Sequence, residues 1–126
     1  MTGRVNDDFE AIIEVDVRFG AVSAHLAVAV DTGFSEYLTL PKDLLLAMGA
    51  TSEREDRLML GNGSIALFDI YIVEVLLTGQ WQSVKTYASD GDALMGMKLL
   101  QGNDLFVRIA PGGEVRILPT TGNGLT

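Results

Sequence analysis

The strongest constraint on this chain lies between Ala11 and Val30, where two alternating apolar runs flank Gly20-Ala21. In AIIEVDVRF, Ile13, Val15, Val17 and Phe19 share one parity, while Glu14, Asp16 and Arg18 share the other. A strand turns successive side chains to opposite faces, so a period of two predicts a half-buried strand. VSAHLAVAV repeats the pattern, with Val22, Ala24, Leu26, Val28 and Val30 on one side. Two such runs around a short glycine turn predict a β-hairpin. The 14 Gly of the 126 residues add many tight turns, which suits a β-rich chain better than a helical bundle.

Further along, Leu40 leads into Pro41, and PKDLLLAM predicts a helix that buries Leu44, Leu45 and Met48. Proline fits the first helical turn, where its missing N–H would lack a partner anyway, and Gly49 fits the left-handed stop. Thr51 to Arg57 reads as a polar connector, and Leu58–Leu60 and Ile65–Leu77 as strands around the turn Gly61-Asn62-Gly63-Ser64. Trp81 to Ala88 continues the strands. ALMGMKLL predicts a short helix ending near Gly102, and Leu105–Ile109 with Val115–Leu118 a last hairpin around Pro111-Gly112-Gly113. No linker or repeat divides the chain. The expected organisation is one domain over 1–126, with a core at about 11–118 and flexible ends at 1–10 and 119–126.

Composition narrows the function classes. No Cys removes disulfides, thiolate nucleophiles and Cys-based zinc sites, and one His leaves no histidine cluster for a metal. The net charge of −8 lacks the basic stripe that displaces counterions from phosphates, so no nucleic-acid partner is expected. No run of about 18 apolar residues predicts a membrane span, and no apolar run near Met1 predicts a signal peptide. The expected setting is soluble and cytoplasmic, with no metal and no cofactor.

The stretch that carries chemistry is LAVAVDTGFS. Asp31 ends an apolar strand, where a carboxylate is costly unless neighbours hold it. An Asx turn with Gly33 at a permissive position accounts for a bare Asp-Thr-Gly. The wider pattern adds to that. Asp31-Thr32-Gly33 after a strand, a glycine hairpin at Gly61-Asn62-Gly63-Ser64, and Leu94-Met95-Gly96 before Leu99-Leu100 together resemble the retropepsin-like aspartic peptidases. The resemblance spans roughly 12–117 and is to their small bacterial single-domain relatives.

That resemblance implies an all-β, closed acid-protease barrel with one or two short helices, acting as a homodimer. Asp31 would be catalytic, Thr32 and Gly33 would complete its loop, and Gly96 would be structural beside it. Leu58–Phe68 would be a flap. Phe34, Ser35, Gly61, Asn62, Gly63 and Ser64 would line the path of a peptide or protein substrate. Two members of the family pattern are missing: Ser35 stands where a second Asp is usual, and Met97 where Arg follows the glycine. Those two residues form an ion pair in the family, and their joint absence predicts that the pair is lost without stranding a charge.

Aspartic proteolysis uses two carboxylates about 3 Å apart that share one proton, because like charges so close cannot both ionise. One motif per chain therefore requires two chains around a two-fold axis. A peptide-binding or dimerisation module on the same groove is the second reading, since fold does not imply function. A third comes from LTLPKDLLLAMGA, which resembles the strand-Pro-helix-Gly segment of AbrB-type DNA-binding regulators, though the charge opposes it. Elsewhere the plain readings prevail. His25 is a surface histidine, Asp90-Gly91-Asp92 a solvated turn, Asp7, Asp8 and Glu10 part of a solvated arm, and Trp81 with Tyr87 core or interface.

Overall fold

A computed structural model describes residues 1–121. The hairpin expected at the start is there: β2 (Ala11–Phe19) and β3 (Val22–Val30) pair in antiparallel register from Ala11↔Val30 to Phe19↔Val22. Gly20 turns the chain at φ 59°, a conformation that L side chains adopt with strain. Before this hairpin comes β1 (Thr2–Val5). The chain then runs β4 (Leu38–Pro41), α1 (Lys42–Ala47), β5 (Arg54–Met59), β6 (Ile65–Leu77) and β7 (Gln80–Ser89). It ends with β8 (Leu94–Met95), α2 (Met97–Leu100), β9 (Asn103–Val107) and β10 (Glu114–Pro119).

The strand order is β5-β6-β7-β4-β8-β3-β2-β1-β10-β9, and β6 also pairs with β2. That extra pairing closes β2, β3, β8, β4, β7 and β6 into a six-stranded barrel. The two halves of β2 do different work. Ala11, Ile12 and Ile13 pair with β1, whereas Val17 and Arg18 pair with Val75 and Glu74 of β6. At the closure, the Arg18 guanidinium grips the Glu74 carboxylate at 2.9 and 3.3 Å and lies 4.0 Å over the Trp81 ring. This is a cross-strand pair at the point where the barrel would otherwise open.

The interior is filled by the parity the sequence predicts: Ile13, Val15, Val17 and Val28 are buried, joined by Leu38, Leu40, Val73, Val75 and Met95. Helix α1 closes one end with Leu45 and Met48 and stops at Gly49, φ 73°. Pro41 stands just outside it, as the last residue of β4, with ψ 134°. β4 is built into the barrel wall between β7 and β8. The local strand-Pro-helix-Gly pattern is therefore present, but the DNA-regulator architecture that it resembles is not the fold.

Three expectations need correction. Residues 1–10 are no loose arm, since Thr2–Val5 is clamped between β2 and β10 and Val5 is buried. The charged connector Thr51–Arg57 contains a strand, because β5 begins at Arg54. At the other end, Pro119 belongs to β10, and Thr120 donates its N–H to the Gly102 carbonyl and its hydroxyl to Asp104. The rest of the expected loose tail, 122–126, lies outside the described residues.

Candidate active site

Strand β3 delivers Asp31 to a point where two chain segments cross. The Asp31 N–H donates to the Met95 carbonyl at 2.9 Å, extending the parallel pairing of β3 with β8. Its carboxylate Oδ1 accepts the Gly33 N–H at 2.9 Å, and its carbonyl accepts the Phe34 N–H at 3.1 Å. This is the Asx turn that the sequence predicts, and it fixes the carboxylate plane. Asp31 is half-buried, while Thr32 and Gly33 are exposed.

The second segment, residues 95–98, passes beneath that loop and binds it along its length. Gly96 donates its N–H to Tyr37 at 2.9 Å, Met97 to Phe34 at 2.8 Å and Lys98 to Glu36 at 3.2 Å. Gly96 is required by space, not by its dihedral angles. A Cβ there would overlap the Glu36 carbonyl oxygen and stand 2.7 Å from the Phe34 ring. Buried Thr39 pins the approach: its hydroxyl donates to the Asp92 carbonyl and accepts the Leu94 N–H at 2.9 Å. Nothing in the local pattern around Thr39 marks it, because both partners lie 53 and 55 residues further along the chain.

The crossing carries an ion pair of its own, one residue beyond Ser35 and Met97. Glu36 and Lys98, each one position after the residues where the family pattern puts its acid and base, meet at 3.1 Å. The pair joins the two crossing segments where their backbones already touch. Glu36 Oε1 is buried with no hydrogen-bond partner among the described residues, so Lys98 is what compensates this carboxylate. The signal was available in the sequence: a carboxylate and an ammonium displaced by the same single step.

Phe34 is half-buried and packs edge-on to Tyr87, centroids 6.4 Å apart; Phe68 of β6 packs on Tyr87 in the same way at 6.0 Å. This aromatic row connects the Asp31 loop to the base of the β5–β6 hairpin. Asp56 on β5 takes an ion pair from Lys85 on β7 at 2.9 Å, and that contact with the Arg57 N–H holds its carboxyl below the usual range. Beyond this base the hairpin carries Gly61, Asn62, Gly63 and Ser64 at an exposed tip. Asn62 Oδ1 accepts the Ser64 N–H and hydroxyl, and Gly63 has φ 85°. Ser35 is exposed near the crossing.

A groove of about 430 Å³ beside Asp31 and Thr32 is walled by Phe9, Val30, Leu105 and Ile109. A larger groove, about 690 Å³, lies around β1 with Glu14 and Glu114 and has no part of the Asp31 loop. Size is a poor guide here, since the carboxylate and its held geometry are in the smaller groove. Among the described residues no group of three His, Cys, Asp or Glu side chains is placed to hold a metal, and no helix is long and apolar enough to cross a membrane. His25 is exposed, with Asp16 at 2.7 Å and Glu14 at 3.4 Å.

No family model matches the sequence, and a search of curated proteins finds no significant match. Solved structures do match. One is a crystal structure of a retropepsin-like aspartic protease from Rickettsia conorii, at TM-score 0.58 and 18% identity, covering 96% of this chain and 91% of that one. The closed six-stranded barrel matches a retropepsin-like fold.

Proposed function

We propose that the chain is an aspartic endopeptidase that acts as a homodimer on a peptide or protein substrate. The observation that carries the reading is the held carboxylate of Asp31, on an exposed loop that is locked from below by residues 95–98. One oxygen is committed to the Gly33 N–H, which leaves Oδ2 to face a water. In a two-fold dimer, two such carboxylates share one proton. The ionised member takes a proton from the water as its oxygen attacks the scissile carbonyl carbon. The protonated member donates to the carbonyl oxygen and stabilises the tetrahedral intermediate. Collapse breaks the C–N bond as the proton taken from water passes to the leaving amine and one hydroxyl of the intermediate returns its proton to the other carboxylate, restoring the shared proton. Thr32 ties the two loops at the axis, and Gly33 lets their backbones approach.

The β5–β6 hairpin acts as the flap. Met59, Ile65 and Leu67 are exposed on it, an apolar surface suited to cover a peptide and exclude water. Phe34, Ser35 and the tip residues Gly61, Asn62, Gly63 and Ser64 border the substrate path. The test is cleavage of a mixed peptide library from acid to neutral pH by the wild type and by Asp31→Asn. Cleavage that vanishes in the variant supports the reading. Binding without cleavage by the wild type would mark a peptide-binding module instead.

A further inference from the structure

Leu38, Thr39 and Leu40 of β4 are all buried, and a hydroxyl among apolar neighbours is costly unless its donor and acceptor roles are used. Both roles of Thr39 are used. Its Oγ1 donates to the Asp92 carbonyl at 3.0 Å and accepts the Leu94 N–H at 2.9 Å. The Ser89 hydroxyl lies 3.3 Å from the same carbonyl, so two hydroxyls tie down the exit of the 89–92 loop. Among the described residues Thr86 is also buried, and it differs: its hydroxyl bonds the Val84 carbonyl, two residues back on its own strand.

What Thr39 holds is β8, a strand of two residues. β8 runs parallel to β3 on one side and antiparallel to β4 on the other, with Thr39 opposite Leu94. The carbonyls of Ala93 and Met95 accept the N–H groups of Ala29 and Asp31, each at 2.9 Å. The Leu94 N–H goes the other way, to the Thr39 hydroxyl, as the Gly96 N–H goes to the Tyr37 carbonyl. So short a strand has few ladder bonds, and one bond from a side chain is a large part of what fixes it across the sheet. If β8 shifts, the Met95 carbonyl shifts with it and takes the main chain of Asp31 along.

We propose that Thr39 is a positioning residue for Asp31. Its hydroxyl sets the place of residues 92–95 and, through the Met95 carbonyl, the depth at which the carboxylate meets the substrate. The inference rests on the reading of Asp31 as catalytic. Thr39 touches no reacting atom, so its contribution is to orientation, where a misplacement of about 1 Å can cost on the order of a hundredfold in rate. A hydroxyl that serves stability alone lowers the fraction of folded protein. One that positions the carboxylate lowers kcat of the folded protein and leaves KM, because the substrate is held by the groove and the flap.

Thr39→Val keeps the shape and removes both bonds, whereas Thr39→Ser keeps the hydroxyl. In folded protein, Thr39→Val is expected to lower kcat at least about tenfold with KM changed less than about twofold, and Thr39→Ser to hold kcat within about threefold. Thr86→Val also loses a buried hydroxyl and should keep kcat within about twofold. A wild-type kcat in Thr39→Val, or an equal fall in Thr86→Val, overturns the positioning role. So does a tenfold fall in Thr39→Ser, which is read whether or not Thr39→Val folds. Hydrogen exchange follows the same contacts without cleavage: the Asp31 and Leu94 amides should exchange at least about tenfold faster in Thr39→Val and not in Thr86→Val. Unchanged exchange at Asp31 overturns the inference and leaves the peptidase reading intact. Faster exchange there, with a wild type that does not cleave, supports the contact path and overturns the peptidase reading alone.

Discussion

The loop that carries Asp31 and the tip that carries Asn62 are both glycine-bearing turns at strand ends, yet they are held in opposite ways. Residues 31–37 are bonded from beneath by the backbone of 95–98, with Gly96 fitted so closely that a methyl would strike the Glu36 carbonyl. Among the described residues, 61–64 are bonded to their own hairpin alone: Leu60 to Ser64, Gly63 to Leu60, Ser64 to Asn62. A Cβ at Gly61 would meet nothing within 4 Å. Rigid support suits a carboxylate that must be presented in one plane, and sparse support suits a segment that must move to admit a chain. The difference teaches that the same residue type fits a tight crossing in one place and leaves a tip free of close neighbours in the other.

The sharpest way to break this contrast is a pair of identical substitutions. Gly96→Ala should cost about 3 kcal/mol or more, because the backbone oxygens of Glu36 and Phe34 leave the methyl nowhere to go. Gly61→Ala should change stability by less than about 1 kcal/mol. Thermal or urea unfolding of both variants measures the gap, and equal losses would mean that the crossing is not tightly packed. Lys98→Met comes next. It removes the cation from Glu36, and the expected loss is about 1–2 kcal/mol, below the ~3–5 of a fully buried pair because Lys98 is half exposed. Glu36→Gln in the same background should recover part of it.

Hydrogen exchange sharpens the other half of the comparison. Amides of Gly61 to Ser64 should exchange quickly in the free protein and become protected with a peptide-like inhibitor, while Asp31, Gly96 and Met97 stay protected in both. Equal exchange at the tip with and without inhibitor would remove the flap from the account. The smallest effect belongs to His25, far from either loop. Its hydrogen bond to Asp16 raises its pKa above the usual imidazole value. The sign follows from linkage: the contact stabilises the fold below the unfolded-state pKa and is lost as pH rises through the raised folded value. Proton NMR of this one histidine should give the raised midpoint, and Asp16→Asn should lower it.

How much could be read beforehand depended on how local the determining physics was. The β2–β3 hairpin was legible to its end residues because side-chain alternation and Gly20 both act within the segment. The Asp31 turn was legible for the same reason. β1 was not: Thr-Gly-Arg-Val has no alternation worth the name, and β10, with which it pairs, is at the opposite end of the chain. β5 hid behind its charges, which an edge strand tolerates because one side of it faces water. Thr39 and the Glu36–Lys98 pair are contacts between segments distant in sequence, and a one-residue shift in both partners masked the pair from a position-by-position comparison.

The central claim is that cleavage needs two Asp31 carboxylates from two chains, and subunit mixing tests it most directly. Wild type and Asp31→Asn, mixed in equal amounts and allowed to exchange, form wild-type homodimers as about one quarter of all dimers. If both carboxylates are required, cleavage per total protein falls to about one quarter of the pure wild type, and excess variant drives it toward zero as the square of the wild-type fraction. If each chain acts alone, cleavage falls to about one half and follows that fraction linearly. The account predicts the square; a straight line, or cleavage by Asp31→Asn itself, would contradict it.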